Sequence, residues 1–321
     1  MTRIPVGQLG AQDGIDQIFR ASGKQLRSNR QGNLYLQVDL SDRTGTINAR
    51  MWNATEEVAA KFDNGDFVRV QGSTQVFQGA LQMIAKRIEK VPGGDVDETD
   101  FIVLGAAEID KLAIRLGEIL REITHPALAN LAECYLSDED FMQKFTAAPA
   151  GIKLHHAYNG GLLEHVVNLM EVCRAVAPFY PQVDLDLLLM GAFLHDAGKV
   201  HELYFDRDFG YTDEGQLIGH HVMGVEMFDR KRAEAEQLSG EPLDEETALR
   251  VKHMIVSHHG TLEHGSPKVP MTPEALALHL LDTLDAKLHA FGSLLREDPN
   301  TDSAWTQFHH NLGRKLFKGS N

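Results

Sequence analysis

Cysteine is nearly missing from this chain: Cys134 and Cys173 are the only two in 321 residues. They can build no disulfide framework and form no Cys-x-x-Cys pair, so both read as small buried hydrophobes. No apolar run approaches the roughly 20 residues that cross a bilayer, which argues against a membrane partner. The opening MTRIPVGQLGAQDG lacks the apolar core of a secretory signal, so the expected compartment is the cytoplasm. Basic charge is also short, with 31 Lys+Arg against 46 Asp+Glu and a net charge of −15. Cations that neutralise phosphates drive most nucleic-acid binding, so the total argues against such a partner. The shortage is uneven, however. Residues 1–90 carry 12 Lys+Arg against 9 Asp+Glu, whereas residues 91–321 carry 19 against 37. The two stretches read as different proteins joined in one chain.

What is present in the first stretch is a period of two. NLYLQVDL, TGTINARMW and DFVRVQGSTQVFQGALQMIAKRIEKV alternate apolar and polar residues, with turns at Ser41 to Gly45 and Asn64 to Asp66. Such alternation, rich in Val, Ile, Tyr, Phe and Trp, specifies short antiparallel strands. Residues 55–62, TEEVAAKF, read as a short helix between the third and fourth strands. Four or five strands with a helix at that place suggest a small closed barrel. The run YLQVDLSDRTGTINARMW resembles the oligonucleotide/oligosaccharide-binding (OB) fold in its order of strand, acidic turn, Thr-Gly and strand ending in Trp. Barrels of that kind bind single strands through aromatics and scattered cations on one face. Tyr35, Arg50, Trp52, Arg69, Phe77 and Lys86 are the candidates, and each aromatic could equally fill the barrel.

PGGDVDETD, residues 92–100, has the composition of a linker, and the linker is taken as 92–104. Beyond it the apolar period becomes helical: 107–135 with a break at His125-Pro126, then 137–148, 161–177, 184–196, 219–237, 245–259 and 272–296. The fold class is therefore multidomain β plus α. A five-stranded barrel occupies 1–91 and an all-α domain 105–321.

Sixteen histidines are many for this length, and their placement matters more than their number. LLLMGAFLHDAGKV, residues 187–200, runs an apolar helix straight into His195 and Asp196. His165 lies in the apolar helix before it, His220 and His221 open a later one, His258 and His259 close another, and Asp282 lies inside the last. A buried imidazole or carboxylate costs several kcal/mol unless paired. One such residue is usually a hydrogen-bonded core group. Five helices each delivering one point instead to a shared cation cluster. Imidazole with carboxylate and no thiolate suits Mn, Fe, Co, Ni, Zn or, with more oxygen ligands, Mg. Two divalent ions close together suit displacement at phosphorus. Lys199, one turn past His195, is placed to neutralise a phosphate oxygen, unless it is merely a solvated lysine beyond a glycine bend.

His165, the doublet His195-Asp196 with Ala-Gly-Lys after it, and Asp282, in that order, resemble the HD phosphohydrolase superfamily over about residues 150–290. The resemblance implies one ion held by His165, His195, Asp196 and Asp282, and a second by Asp196, His220 and His258. His221 and His259 are neighbours whose part is open. HHAYNGGLLEH, LIGHHVMGVEM and SHHGTLEHGSPKVPMTPEALALHLLDTLDAK, behind an OB barrel, resemble more narrowly the YhaM-type 3′-5′ exoribonuclease family over nearly the whole chain. His221 departs from that pattern, which leads one to expect an apolar residue there.

The narrower resemblance implies removal of nucleoside 5′-monophosphates from the 3′ end of single-stranded RNA, sometimes DNA, with Mn²⁺ favoured of the two divalent ions. Catalytic roles would fall to Asp196 and Lys199. His155, His156 and Tyr158 would contact the terminal nucleotide or cap the helix of His165. Lys268 in EHGSPKVP is a weaker phosphate candidate. The basic tail GRKLFKG, 313–319, is either a further RNA contact or a solvated helix end. Competing expectations are a nucleotide or cyclic-dinucleotide phosphohydrolase, a di-iron oxygenase, and a non-catalytic RNA-binding module with a structural metal. The segment after His259 reads HGSP and lacks the Gly-Tyr-Pro of the cyclic-dinucleotide enzymes.

Overall fold

A computed structural model of the protein describes residues 3–29, 31–77, 80–92, 94, 96–152, 156–206, 208–296, 298, 300, 303–309 and 312–319. The chain divides into two compact units, Met1–Val103 with Phe291–Asn321, and Leu104–Ala290.

In the first unit, β1 (Gly14–Ser28), β2 (Leu34–Asp42) and β3 (Gly45–Trp52) precede a one-turn helix, α1 (Glu56–Ala59); β4 (Phe67–Phe77) and β5 (Ala80–Lys90) follow it. They close a barrel in the order β1-β2-β3-β5-β4, with β3 and β5 parallel and the other pairs antiparallel. Alternation decides which side chains go inside. Leu36, Val38 and Leu40 of β2 and Ile47 and Ala49 of β3 are fully or almost fully buried, so their neighbours Tyr35, Arg50 and Trp52 belong to the opposite face of their strands. The helix α1 is short but capped, since the Thr55 hydroxyl accepts from the backbone N–H of Val58. The barrel expected from the alternation, with its helix between the third and fourth strands, is the one observed.

The linker composition of 92–104 is only part of its character. Phe101 packs on Phe67 with ring centroids 4.9 Å apart, the Arg3 guanidinium lies 4.7 Å over the Phe101 ring, and the Asp100 carbonyl accepts from the Arg43 N–H. Residues up to Val103 thus belong to the barrel unit. The helical domain expected to reach residue 321 also divides, because Phe291–Asn321 groups with the barrel unit. There the segment GRKLFKG is no helix end. It forms isolated bridges, Trp305 to Phe317 and His309 to Arg314, with Gly313 at φ +63° in the reversal between them.

The second unit holds α2 (Ala106–Leu120), α3 (Pro126–Leu136), α4 (Glu139–Ala147), α5 (Gly161–Val176), α6 (Leu185–Leu194), α7 (Lys199–Glu202) and a two-residue hairpin, β6 (Leu203–Tyr204) with β7 (Gly210–Tyr211). It continues with α8 (Asp213–Ile218), α9 (His220–Ser239), α10 (Glu245–Ser257) and, as far as Ala290, α11 (Pro273–Arg296). Every residue of α6 from Leu187 to Leu194 is buried, as a helix that is apolar on all sides must be. It packs between α5 and α10, while α9 packs on α3 and α10. Tyr135, Phe141, Phe145 and Phe193 meet mostly edge to face beneath α6. The central helix therefore holds its last residues, and the doublet that follows, deep inside the unit.

Candidate metal centre and nucleic-acid face

Helix α6 stops at Leu194, and His195 and Asp196 begin the turn that leads into α7. Two glycines let backbone segments approach closely around the site. A Cβ on Gly198, in this turn, would lie 2.2 Å from the His220 carbonyl oxygen, and one on Gly161, at the start of α5, would lie 2.0 Å from that of His156. Without a side chain at 198, the start of α9 can sit directly on the turn after Asp196. His165 on α5, His195 and Asp196 after α6, His220 and His221 at the start of α9, His258 and His259 after α10, and Asp282 on α11 then converge. The five expected deliveries meet in one place.

The site has two halves sharing Asp196. In the first, His165 Nε2 lies 3.3 Å from His195 Nε2 and 3.3 Å from an Asp282 carboxylate oxygen. In the second, Asp196 Oδ1 stands 3.5 Å from both His220 Nε2 and His258 Nε2. On five of the histidines the ring nitrogen facing away from the site is engaged. His165 Nδ1–H donates to Asp285 at 2.7 Å and His195 Nδ1–H to the Ala192 carbonyl at 2.8 Å. His220 Nδ1–H donates to Glu202 at 2.9 Å, His258 Nδ1–H to the Ile255 carbonyl at 2.8 Å, and His259 Nδ1–H to the His264 carbonyl at 3.1 Å. A proton fixed on Nδ1 leaves the Nε2 lone pair aimed inward, which is how metal-binding histidines are oriented.

A cation fits this donor set. Asp196 Oδ1 and the Nε2 atoms of His220, His221 and His258 are buried with no hydrogen-bond partner. Each such orphan costs about 1–3 kcal/mol if nothing occupies the space it faces. Among the described residues, His165, His195 and Asp282 form one group able to hold an ion, His195, Asp196 and His258 another, the four histidines of the two doublets a third, and His156, His165 and Asp285, behind the first, a fourth.

The halves differ electrostatically before any cation binds. Burial opposes charge on His165, but the carboxylates of Asp282 and Asp285 outweigh it and raise the ring to about 9. A proton there separates two ring nitrogens that would otherwise oppose lone pairs. In the other half burial dominates, pushing His220 down to about 3 and His258 and His259 to about 4. Burial works against charge on Asp196 too, yet the ammonium of Lys199 and the ring of His195 hold its carboxyl well below the usual range.

Lys199 is not a solvated lysine. Its Nζ donates to the Ala150 carbonyl at 2.6 Å and to Asp196 Oδ2 at 2.7 Å, so one of its three protons holds Asp196 and a second anchors the ammonium to the backbone. His156 is likewise buried rather than presented to a ligand. Its Nε2 is 3.4 Å from Asp285 and its Nδ1 is within hydrogen-bond reach of Glu164 and Tyr158. It backs His165 through their shared partner Asp285. Tyr158 is half-buried in that network and donates to Glu164. His155 lies outside the described residues, and Lys268 is exposed. Asp285 and Glu202, which orient two of the ligating rings, were not anticipated. Asp285 carried a usable signal, since it lies three residues past Asp282 and so shares its side of the helix.

On the barrel, Tyr35 and Trp52 are cross-strand neighbours with ring centroids 5.3 Å apart. Arg50, two residues before Trp52, lies 5.9 Å over the Phe77 ring. Trp52 and Phe77 are 46% and 48% exposed, so neither fills the barrel. Arg69 stands apart from this group, its guanidinium bonded to Asp16 of β1 at 2.6 Å. Lys86 is exposed at the irregularity where Gln71 pairs with Arg87 and Gly72 with Ala85.

Residues 20–91 match the family model described as OB-fold nucleic acid binding domain, and residues 162–287 match that of the HD domain. Among solved structures, the chain is similar to a mitochondrial single-stranded DNA binding protein of S. cerevisiae, Rim1, at 18% identity over 25% of this chain and 96% of that one, TM-score 0.22. It is also similar to the second OB-fold domain of replication protein A from Methanococcus maripaludis, at 21% identity over 28% of this chain and 95% of that one, TM-score 0.22. Likenesses at these scores carry no functional argument.

Proposed function

We propose that this chain, with an OB-type barrel and an HD domain, is a metal-dependent 3′-5′ exoribonuclease of single-stranded RNA that releases nucleoside 5′-monophosphates. The observation that carries the reading is the pairing of two features in one chain: a barrel face of exposed aromatics and a buried His/Asp cluster with inward lone pairs. The barrel supplies stacking on Tyr35, Trp52 and Phe77, with Arg50 beside them for phosphate. Direction and product follow the resemblance to the YhaM-type family.

His165, His195, Asp196 and Asp282 would hold one divalent ion, and Asp196, His220 and His258 the other, with manganese among them by the same resemblance. Bound ions would lower the pKa of water toward neutrality and offset phosphate charge. The chain's own contribution is positional. Asp196 turns Oδ1 toward His220 and His258 and Oδ2 toward His195, and Lys199 fixes Oδ2. The third proton of Lys199 Nζ remains to meet a phosphate oxygen. Glu202 and Asp285 hold the rings of His220 and His165 in the tautomer that leaves Nε2 free.

The test is a time course with 5′-labelled RNA and Mn²⁺, alongside Asp196→Ala. A ladder that shortens from the 3′ end and disappears in the variant supports the reading. Intact RNA beside hydrolysed mononucleotides would transfer the site to the nucleotide phosphohydrolases.

A further inference from the structure

His221 stands where the family pattern leads one to expect an apolar residue, yet it is 7% exposed and its Nε2 is buried without a partner. Consecutive helical residues diverge by about 100°, so a second histidine beside His220 would ordinarily point elsewhere. Here it does not, because both lie at the first turn of α9 and face the end of α10. The rings of His220 and His221 are 4.2 Å apart, those of His258 and His259 4.4 Å. Across the two doublets, His221 is 4.8 Å from His258 and 4.5 Å from His259, and His220 is 5.5 Å and 5.2 Å from the same rings. Four imidazoles are thus mutual neighbours, with one ligand atom from each within 4.8 Å of every other.

We infer that His221 and His259 join His220 and His258 as ligands in the second half of the centre, making it a four-imidazole site that takes a borderline transition ion of the zinc, iron, cobalt or nickel class and discriminates against Mg²⁺. The inference rests on reading the cluster as a metal centre. Its chemistry is that of ligand type: imidazole suits Zn, Fe, Co and Ni, while carboxylate and water suit Mg and Mn. The first half, with Asp196 and Asp282 beside two imidazoles, is the oxygen-richer of the two. Packing alone does not account for the doublets. Three buried nitrogens left unpaired would each be destabilising, whereas a leucine at 221 would fill the same space at no such penalty.

The experiment uses the full chain, stripped with a chelator and reloaded with one equivalent of Zn²⁺ or Co²⁺ in excess Mg²⁺. X-ray absorption on the zinc form counts imidazoles around the first ion bound. Four support the site. Two, the number offered by either His165 with His195 or His220 with His258, overturn it. In parallel, Co²⁺ affinity is followed by its visible absorption in His221→Leu and His259→Gln, with circular dichroism to verify folding. Each substitution is expected to weaken the first equivalent at least about tenfold, the scale of losing even a supporting residue at a metal. A folded His221→Leu protein with unchanged affinity and spectrum refutes the inference. RNA degradation is scored separately. Intact RNA with a four-imidazole count defeats the nuclease reading alone, and degraded RNA with a two-imidazole count defeats only this inference.

Discussion

The barrel and the helical unit handle their polar residues in opposite ways. On the barrel, strand alternation sends Tyr35 and Trp52 outward, and Trp52 is exposed to water. In the helical unit, His165, His195, Asp196, His220 and His258 sit among residues that are almost wholly buried, and every polar atom needs a partner. A surface of the first kind tolerates substitution and contributes to binding in small increments. A buried cluster behaves as a unit, because removing one member strands the others.

The largest effect expected from that difference is at Asp196. Replacing it by alanine leaves the half-buried Lys199 ammonium without its carboxylate, and breaking such a pair destabilises by about 3–5 kcal/mol. Urea unfolding of the metal-free protein measures this, and a loss below 1 kcal/mol would mean that the cluster is not coupled. Next comes pH. Because the folded protein raises His165 to about 9, its protonated form adds stability that is complete below about 6.5 and fades as pH climbs through 9. Metal-free protein is therefore expected to be less stable at pH 9.5 than at pH 6, and Asp282→Asn should flatten that slope. On the barrel, Trp52→Ala is expected to weaken single-stranded RNA binding by roughly 1–3 kcal/mol while leaving the melting temperature unchanged. Fluorescence anisotropy supplies the first number and calorimetry the second. The smallest effect is Arg69→Ala. Its pair with Asp16 is exposed and screened by solvent, so its loss should leave stability unchanged, and its occupied guanidinium predicts RNA affinity within twofold of the parent.

How much of this was legible beforehand also divides between the units. Alternation revealed which barrel residues face outward only as two choices, so whether Trp52 and Phe77 line the interior waited on the barrel's closure. The helical periods located α2 to α6 and α9 to α11 within a few residues. They missed α7, α8 and the β6–β7 hairpin, since elements of two to six residues complete too little of a period to be read. The histidine and aspartate deliveries were visible because each interrupts an apolar helix. The groups that orient them were not. The carbonyls of Ala192, Ile255 and His264 carry no sequence signature, and Glu202 belongs to a one-turn helix.

Local order along the chain, then, determined a barrel, a set of apolar helices and a surplus of imidazoles buried where single ones would be costly. Those outcomes depend on periodicity and on the free energy of burying a polar group, both properties of short segments. Tertiary structure alone decided that His221 joins His220 in facing His258 and His259, that Lys199 is spent on Asp196, and that Arg69 answers to Asp16. Each depends on which element ends arrive at one point, and such arrivals are set by packing between residues far apart in the chain.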